Sequence, residues 1–217
     1  MLMKLQISKK ELSALFEKAK WTFELSEDEI LNLTNLLYKI EKCSCQEDFL
    51  YGIHNGIAAF GLCTKPTSEN IALIEKFVNT EYFCDSVTSV ALKVLCSNSY
   101  WDLAGNYEDL LCKFIQMDDE SYEETVNIAI SCMGSYCHTT KNKTYISLLF
   151  SLFNKALTDY SDKGSNNVPS IETLYNSLES VIWGNKYPKN RRVTFGEMKI
   201  PEDINQEVIA KIQSMIQ

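Results

Sequence analysis

LIEKFV (73–78) and LLCKFI (110–115) are the two stretches on which the fold turns. Set one above the other at an offset of 37, Leu73, Lys76 and Phe77 meet identical residues at Leu110, Lys113 and Phe114, while Ile74 and Val78 meet Leu111 and Ile115. One unit earlier, LLYKIE (36–41) keeps the same offset, with Leu36 preceding Leu73 and Lys39 preceding Lys76. One unit later, LLFSLF (148–153) follows at 38 and keeps only the apolar positions. Internal repetition at such a period is the signature of stacked supersecondary units.

The other half of each unit agrees. VALKVLCSNSY (90–100) lies over VNIAISCMGSY (126–136) at an offset of 36 and matches Val, Cys, Ser and Tyr at four of eleven positions. Each unit reads as two helices, because apolar residues fall at helical spacing through Leu33, Leu36, Leu37 and Ile40, and again through Leu110, Leu111, Phe114 and Ile115. Helix starts are marked by Ser-x-x-Glu capping boxes at Ser26, Ser44 and Ser121, and by ISKKE (7–11) for an N-terminal helix. Asp85 and Asn106 are expected N-caps. Loops are expected at TKPTSEN (64–70), LAGN (103–106), HTTKNK (138–143) and SDKGSNN (161–167), the last followed by Pro169 at a helix start. GNKYPKNRRVTFGEMKIP (184–201) breaks the pattern and reads as an irregular arm or hairpin. A closing helix follows, with Ile204, Val208, Ile212 and Met215 on one side.

Two-helix units of this length in tandem resemble the HEAT and armadillo class of α-solenoids. The resemblance covers roughly 27–183 and implies an all-α protein: a short right-handed α-solenoid of about four HEAT-like helix pairs. On this reading 1–217 is a single domain. Residues 1–25 are an N-terminal capping helix, 26–183 the repeats, and 184–217 an irregular C-terminal arm with a closing helix.

Composition bounds what such a chain does. Of its residues 45% are apolar and 23% charged, with only 8 Gly and 4 Pro, which favours long helices over many-stranded sheet. The net charge of −8 disfavours a sequence-independent grip on nucleic acid, which needs clustered cations. No apolar run reaches a membrane span and no signal peptide is recognisable, so a cytoplasmic protein with eight reduced cysteines is expected.

AISCMGSYCHTT (129–140) gathers Cys132, Cys137 and His138. On a helix the two cysteines point about 140° apart, whereas a zinc site needs thiolates that converge. Cys132 falls on the repeat position of Cys96, which makes it a buried core residue, while Cys137 and His138 are left near a loop. No metal ligand set, cofactor or catalytic residue is therefore assigned. His54, flanked by Gly52 and Gly56, reads as a structural residue where helices approach closely. The aromatics Tyr100, Trp101, Tyr107 and Trp183 read as inter-repeat core. The one basic cluster is Lys186, Lys189, Arg191 and Arg192 with Tyr187.

The acidic run MDDESYEE (117–124) is the candidate partner-binding surface: Asp118, Asp119, Glu120, Glu123 and Glu124, with Tyr122 as an anchor. It lacks the glycine and spacing of a calcium loop. Size, acidity and an Asn/Lys/Ile/Ser-rich composition are similar to small immunity proteins of bacterial polymorphic toxin systems. That resemblance implies a non-enzymatic protein that occludes a basic toxin domain, without nucleic acid or membrane as partner. Two alternatives are an adaptor scaffold that holds a peptide or helix, and a HEAT-like DNA glycosylase. The latter needs a basic groove lined by Lys93, Lys113, Lys141 and Lys143, against the acidic balance.

Overall fold

A computed structural model describes residues 14–19, 24–40, 47–97, 107–117, 119–163, 170–184 and 204–217. The described residues are helical or lie in turns and connections, with no strand among them. Among the described residues ten helices follow in order: α1 (14–19), α2 (Glu27–Tyr38), α3 (Glu47–Cys63), α4 (Ser68–Glu75), α5 (Asp85–Leu95), α6 (Glu108–Ile115), α7 (Glu123–Thr140), α8 (Lys143–Lys163), α9 (Ile171–Trp183) and α10 (Gln206–Ile216). Short 3-10 turns at Lys76–Val78 and Glu120–Tyr122 extend α4 and precede α7. Helices consecutive in the chain pack on one another at α2/α3, α6/α7, α7/α8, α8/α9 and α9/α10, and α4 packs on α5. None of these helices is long and apolar enough to cross a membrane. By its contacts the chain divides into two compact units, 1–107 and 108–217.

In the first unit α2 packs on α3, and both α3 and α4 pack on α5. Leu33, Leu37, Ile53, Ile57, Phe60, Leu73, Ile74 and Phe77 fill its core. Burying side chains of this size contributes about 1.5–3 kcal/mol each, so the apolar stripe and not helix propensity holds these short helices in place. The Ser26 box forms as read: Glu29 N–H donates to Ser26 Oγ at 3.3 Å, and the Glu29 carboxylate accepts from Ser26 N–H at 2.9 Å. Thr67 caps α4 by accepting from Asn70 N–H. At α5 the structure corrects the sequence reading: Cys84 is the N-cap and Asp85 is the first helical residue.

In the second unit α7 packs on α6, α8 and α9, and α10 closes over α8 and α9. Phe114, Ile130, Met133, Cys137, Phe153, Leu178 and Ile212 are its buried centre. Phe77 and Phe114, matched by the repeat, are both fully buried, each with the preceding lysine's Nζ over its ring at 5.2 and 5.7 Å. The closing helix forms as expected, with Ile204, Val208 and Ile212 buried and Asn205 as its cap.

The stretch HTTKNK is helix at four of its six positions. α7 runs to Thr140, Lys141 turns the chain with φ 54°, and Asn142 caps the next helix by accepting from Thr144 N–H. Gly134, Ser135 and Tyr136 lie inside α7. The cap at Ser44, Asn106, the loop 103–106, Tyr100, Trp101, Pro169 and the arm with its basic cluster lie outside the described residues.

Within the first unit α3 and α5 run parallel, and within the second α7 and α9 do so. His54, midway along α3, meets Ser86 near the start of α5, and Gly61 meets Val94 near the ends of both. Asn127 meets Ser170, Ile130 meets Ser177, and His138 meets Val181 along α7 and α9.

Candidate functional site

α6 winds down through two hydrogen bonds, Gln116 N–H to Cys112 O and Met117 N–H to Phe114 O. Asp119 then takes an extended backbone, and its carboxylate accepts from Ser121 N–H at 2.9 Å and Ser121 Oγ–H at 2.6 Å. These bonds to the charged form hold the Asp119 carboxyl below its ordinary value. Because Ser121 donates to Asp119 and sits inside a 3-10 turn, it does not act as the α7 cap. Tyr122 occupies that position without a side-chain capping bond. The expected Ser121 capping box is therefore replaced by an Asp119–Ser121 turn.

The turn carries its acids outward. Asp119, Glu120, Glu123 and Glu124 are exposed and Tyr122 is half-buried, while the next two residues, Thr125 and Val126, are fully buried and fix the helix start. Glu120 and Glu123 make no hydrogen bond or ion pair among the described residues. Asp118 lies outside the described residues. Four carboxylates close to a helix N-terminus are electrostatically favourable where they stand. They also leave a negative, solvated ridge on which Tyr122 is the one large apolar body.

The cysteine–histidine stretch is arranged the other way round from its sequence reading. Cys137 is fully buried, and burial, then Glu108 and Cys112 nearby, push its thiol up to about 12. Cys132 is only partly buried. Burial raises the thiols of Cys63 and Cys112 as well, which opposes the thiolate that nucleophilic or metal chemistry uses. His138 is not loose. Val181 O is among the last carbonyls of α9, which have no partner within the helix. It accepts from His138 Nδ1–H at 3.1 Å and from Lys141 Nζ at 3.1 Å. Gly184, at φ 59°, lies against the imidazole so closely that a Cβ there would sit 2.7 Å from Cδ2. A glycine is needed on both counts.

His54 is structural in the same manner. Its Nδ1 lies 2.9 Å from Ser86 O and 3.2 Å from Ser86 Oγ. A carbonyl only accepts, so Nδ1 carries the proton and is no base for the Ser86 hydroxyl. Among the described residues no three His, Cys, Asp or Glu side chains gather as a metal site requires. Of the four lysines a basic groove needs, Lys93, Lys113 and Lys143 are exposed, and Lys141 is engaged at the end of α9.

Lysines that close helix ends escaped the sequence reading. Lys76 Nζ donates to Leu37 O at 3.2 Å and Tyr38 O at 3.1 Å, the C-terminal carbonyls of α2. The recurrence of lysine at 39, 76 and 113 was the available signal. Compared with protein-family models, curated proteins and solved structures, the chain gave no match.

Proposed function

We propose that the chain is a non-catalytic protein-binding module, built as a short right-handed α-solenoid of HEAT-like helix pairs. Its role on this proposal is that of a bacterial cytoplasmic immunity protein, which binds a cognate toxin and covers the toxin's active site. The supporting observation is the acidic ridge at the α6–α7 turn, where Asp119, Glu120, Glu123 and Glu124 are exposed around Tyr122. A ridge of one sign on a rigid turn raises the encounter rate with a basic surface and aligns it before contact, and a half-buried tyrosine provides a contact of low conformational cost. The net charge of −8 extends the same attraction beyond the ridge.

The test is to identify the reading frames that neighbour the gene for this chain and to co-express the chain with any large one. The expected result is rescue of growth and co-purification of the two products. The triple variant Glu120→Lys, Glu123→Lys, Glu124→Lys should slow association by about tenfold or more at low salt, with the difference shrinking as salt rises. Rescue or binding that is indifferent to the triple reversal refutes the ridge, and a neighbour that is neither toxic nor bound refutes the immunity role.

A further inference from the structure

Leu31 and Tyr38, 60% and 54% exposed, are the two most exposed large apolar side chains among the described residues. They stand seven residues apart on α2, two turns along one face, opposite the fully buried Leu33 and Leu37. Asp28 and Asn35 complete a row at the i, i+3, i+7, i+10 spacing by which one helix meets another. The row has a charged end of each sign. Glu27 and Asp28 are exposed at its start and Lys39 at its finish. The side chains of Glu27, Asp28, Asn32, Asn35 and Lys39 make no hydrogen bond or ion pair among the described residues. On the flank, by contrast, Glu29 is held by Lys18 and Ser26, and Thr34 bonds back to Ile30 O.

A helix face with two apolar residues, acids at one end and a base at the other is complementary to itself only when reversed. We propose that this face of α2 pairs antiparallel with the same face of a second copy of the chain. A twofold axis passing between Thr34 and Asn35 sets Leu31 of each copy against Tyr38 of the other, so the same contact is made twice, as an isologous interface requires. In that register Lys39 of one copy falls about 3 Å along the axis from Asp28 of the other, on the same side of the seam and within reach of a lysine side chain. The face is narrow, so the dimer is weak, with a dissociation constant on the order of 100 µM. This pairing does not depend on the acidic turn.

Sedimentation of the full chain over a concentration series tests it, with circular dichroism as the check that each variant remains folded. The expected result is a monomer–dimer equilibrium. Leu31→Glu and Tyr38→Glu each leave a monomer at every concentration. Asp28→Lys weakens the dimer about fivefold, and adding Lys39→Glu restores it. A chain that stays monomeric up to about 1 mM overturns the proposal. So does a dimer that survives Leu31→Glu, or a charge reversal at Asp28 that Lys39→Glu does not rescue.

Discussion

Gly134→Ala should destabilise the chain, although alanine is the better helix former. A Cβ at Gly134 would lie 2.8 Å from Ser177 O, 2.9 Å from Ser177 Cα and 3.0 Å from Ser177 Cβ. Two of those atoms are backbone of α9 and cannot rotate away, so α7 and α9 must separate by about half an ångström to reach ordinary contact. Separation also lengthens the buried bond from Ser177 Oγ to Ile130 O, now 3.0 Å. Overpacking of this kind costs about 1–3 kcal/mol, and a backbone obstacle places it toward the upper end. Replacing glycine within a helix returns about 1 kcal/mol. The net expectation is a loss of about 1–2 kcal/mol, read from urea unfolding and from faster amide exchange confined to α7 and α9. Gly61 is the internal control. Its added Cβ would lie 2.6 Å from Val94 Cγ2, a side-chain atom. Val94→Ala should therefore rescue Gly61→Ala, while Ser177→Ala should not rescue Gly134→Ala. A Gly134→Ala chain as stable as the parent, or one rescued at Ser177, refutes the reasoning.

Lys76→Met removes two charge-assisted bonds to the end of α2. It should cost about 1 kcal/mol and deprotect the amides around Tyr38, whereas Lys39→Met should leave stability within about 0.5 kcal/mol. Hydrogen bonds from Lys18 and Ser26 hold Glu29 at about 2 against an ordinary 4.5. A depressed folded-state value stabilises above the unfolded value, and the contribution is lost as pH falls from about 4.5 toward 2. Parent and Glu29→Gln stabilities should therefore differ near neutrality and converge at pH 2, and a constant difference would contradict this. Alkylation followed by peptide mass mapping should modify Cys132 well before Cys137, which is buried with its thiol raised to about 12. Cys137→Ser should cost about 1–3 kcal/mol by burying a hydroxyl.

The all-α character was legible because it rests on repeated local signals. The Leu-x-x-Lys-Phe register places Phe77 and Phe114 in the core, and the Ser26 box is satisfied within four residues. Readings that failed depended on competition between neighbours. Ser121 offered a capping box, but Asp119, two residues away, binds both its N–H and its hydroxyl and tightens the chain into a 3-10 turn. The inversion of Cys132 and Cys137 has a different cause. Alignment with Cys96 placed Cys132 in the core and left Cys137 beside an expected loop at 138–143, yet α7 runs on to Thr140. Val126, Ile130, Met133 and Cys137, at i, i+4, i+7 and i+11, are all fully buried. The helical period carried through HTTKNK would have placed Cys137 inside, but polar composition hid it. Leu31 and Tyr38 were missed because a search for the core stripe passes over the opposite face. For the acidic ridge, composition located the turn, while the assignment of Asp119 to a structural bond needed coordinates.

Beside the apolar core, small and polar residues let the parallel helices approach closely. Gly61 admits Val94, Gly134 admits the backbone at Ser177, and Ser177 Oγ returns a hydrogen bond to Ile130 O. At each seam a histidine adds a bond from Nδ1 to a carbonyl of the neighbouring helix, at Ser86 in one unit and Val181 in the other. These are the chain's two histidines. With the proton fixed on Nδ1 by an acceptor that cannot reciprocate, each imidazole orients a helix. Close seams of this type tolerate apolar substitution in the core better than added volume at a glycine, because a core side chain has rotamers to explore and a backbone carbonyl has none. Structural roles thus occupy the histidines and Cys137, whose types most invite a catalytic reading. The exposed carboxylates of the α6–α7 turn and the exposed face of α2 are the surfaces to which the two proposals assign recognition.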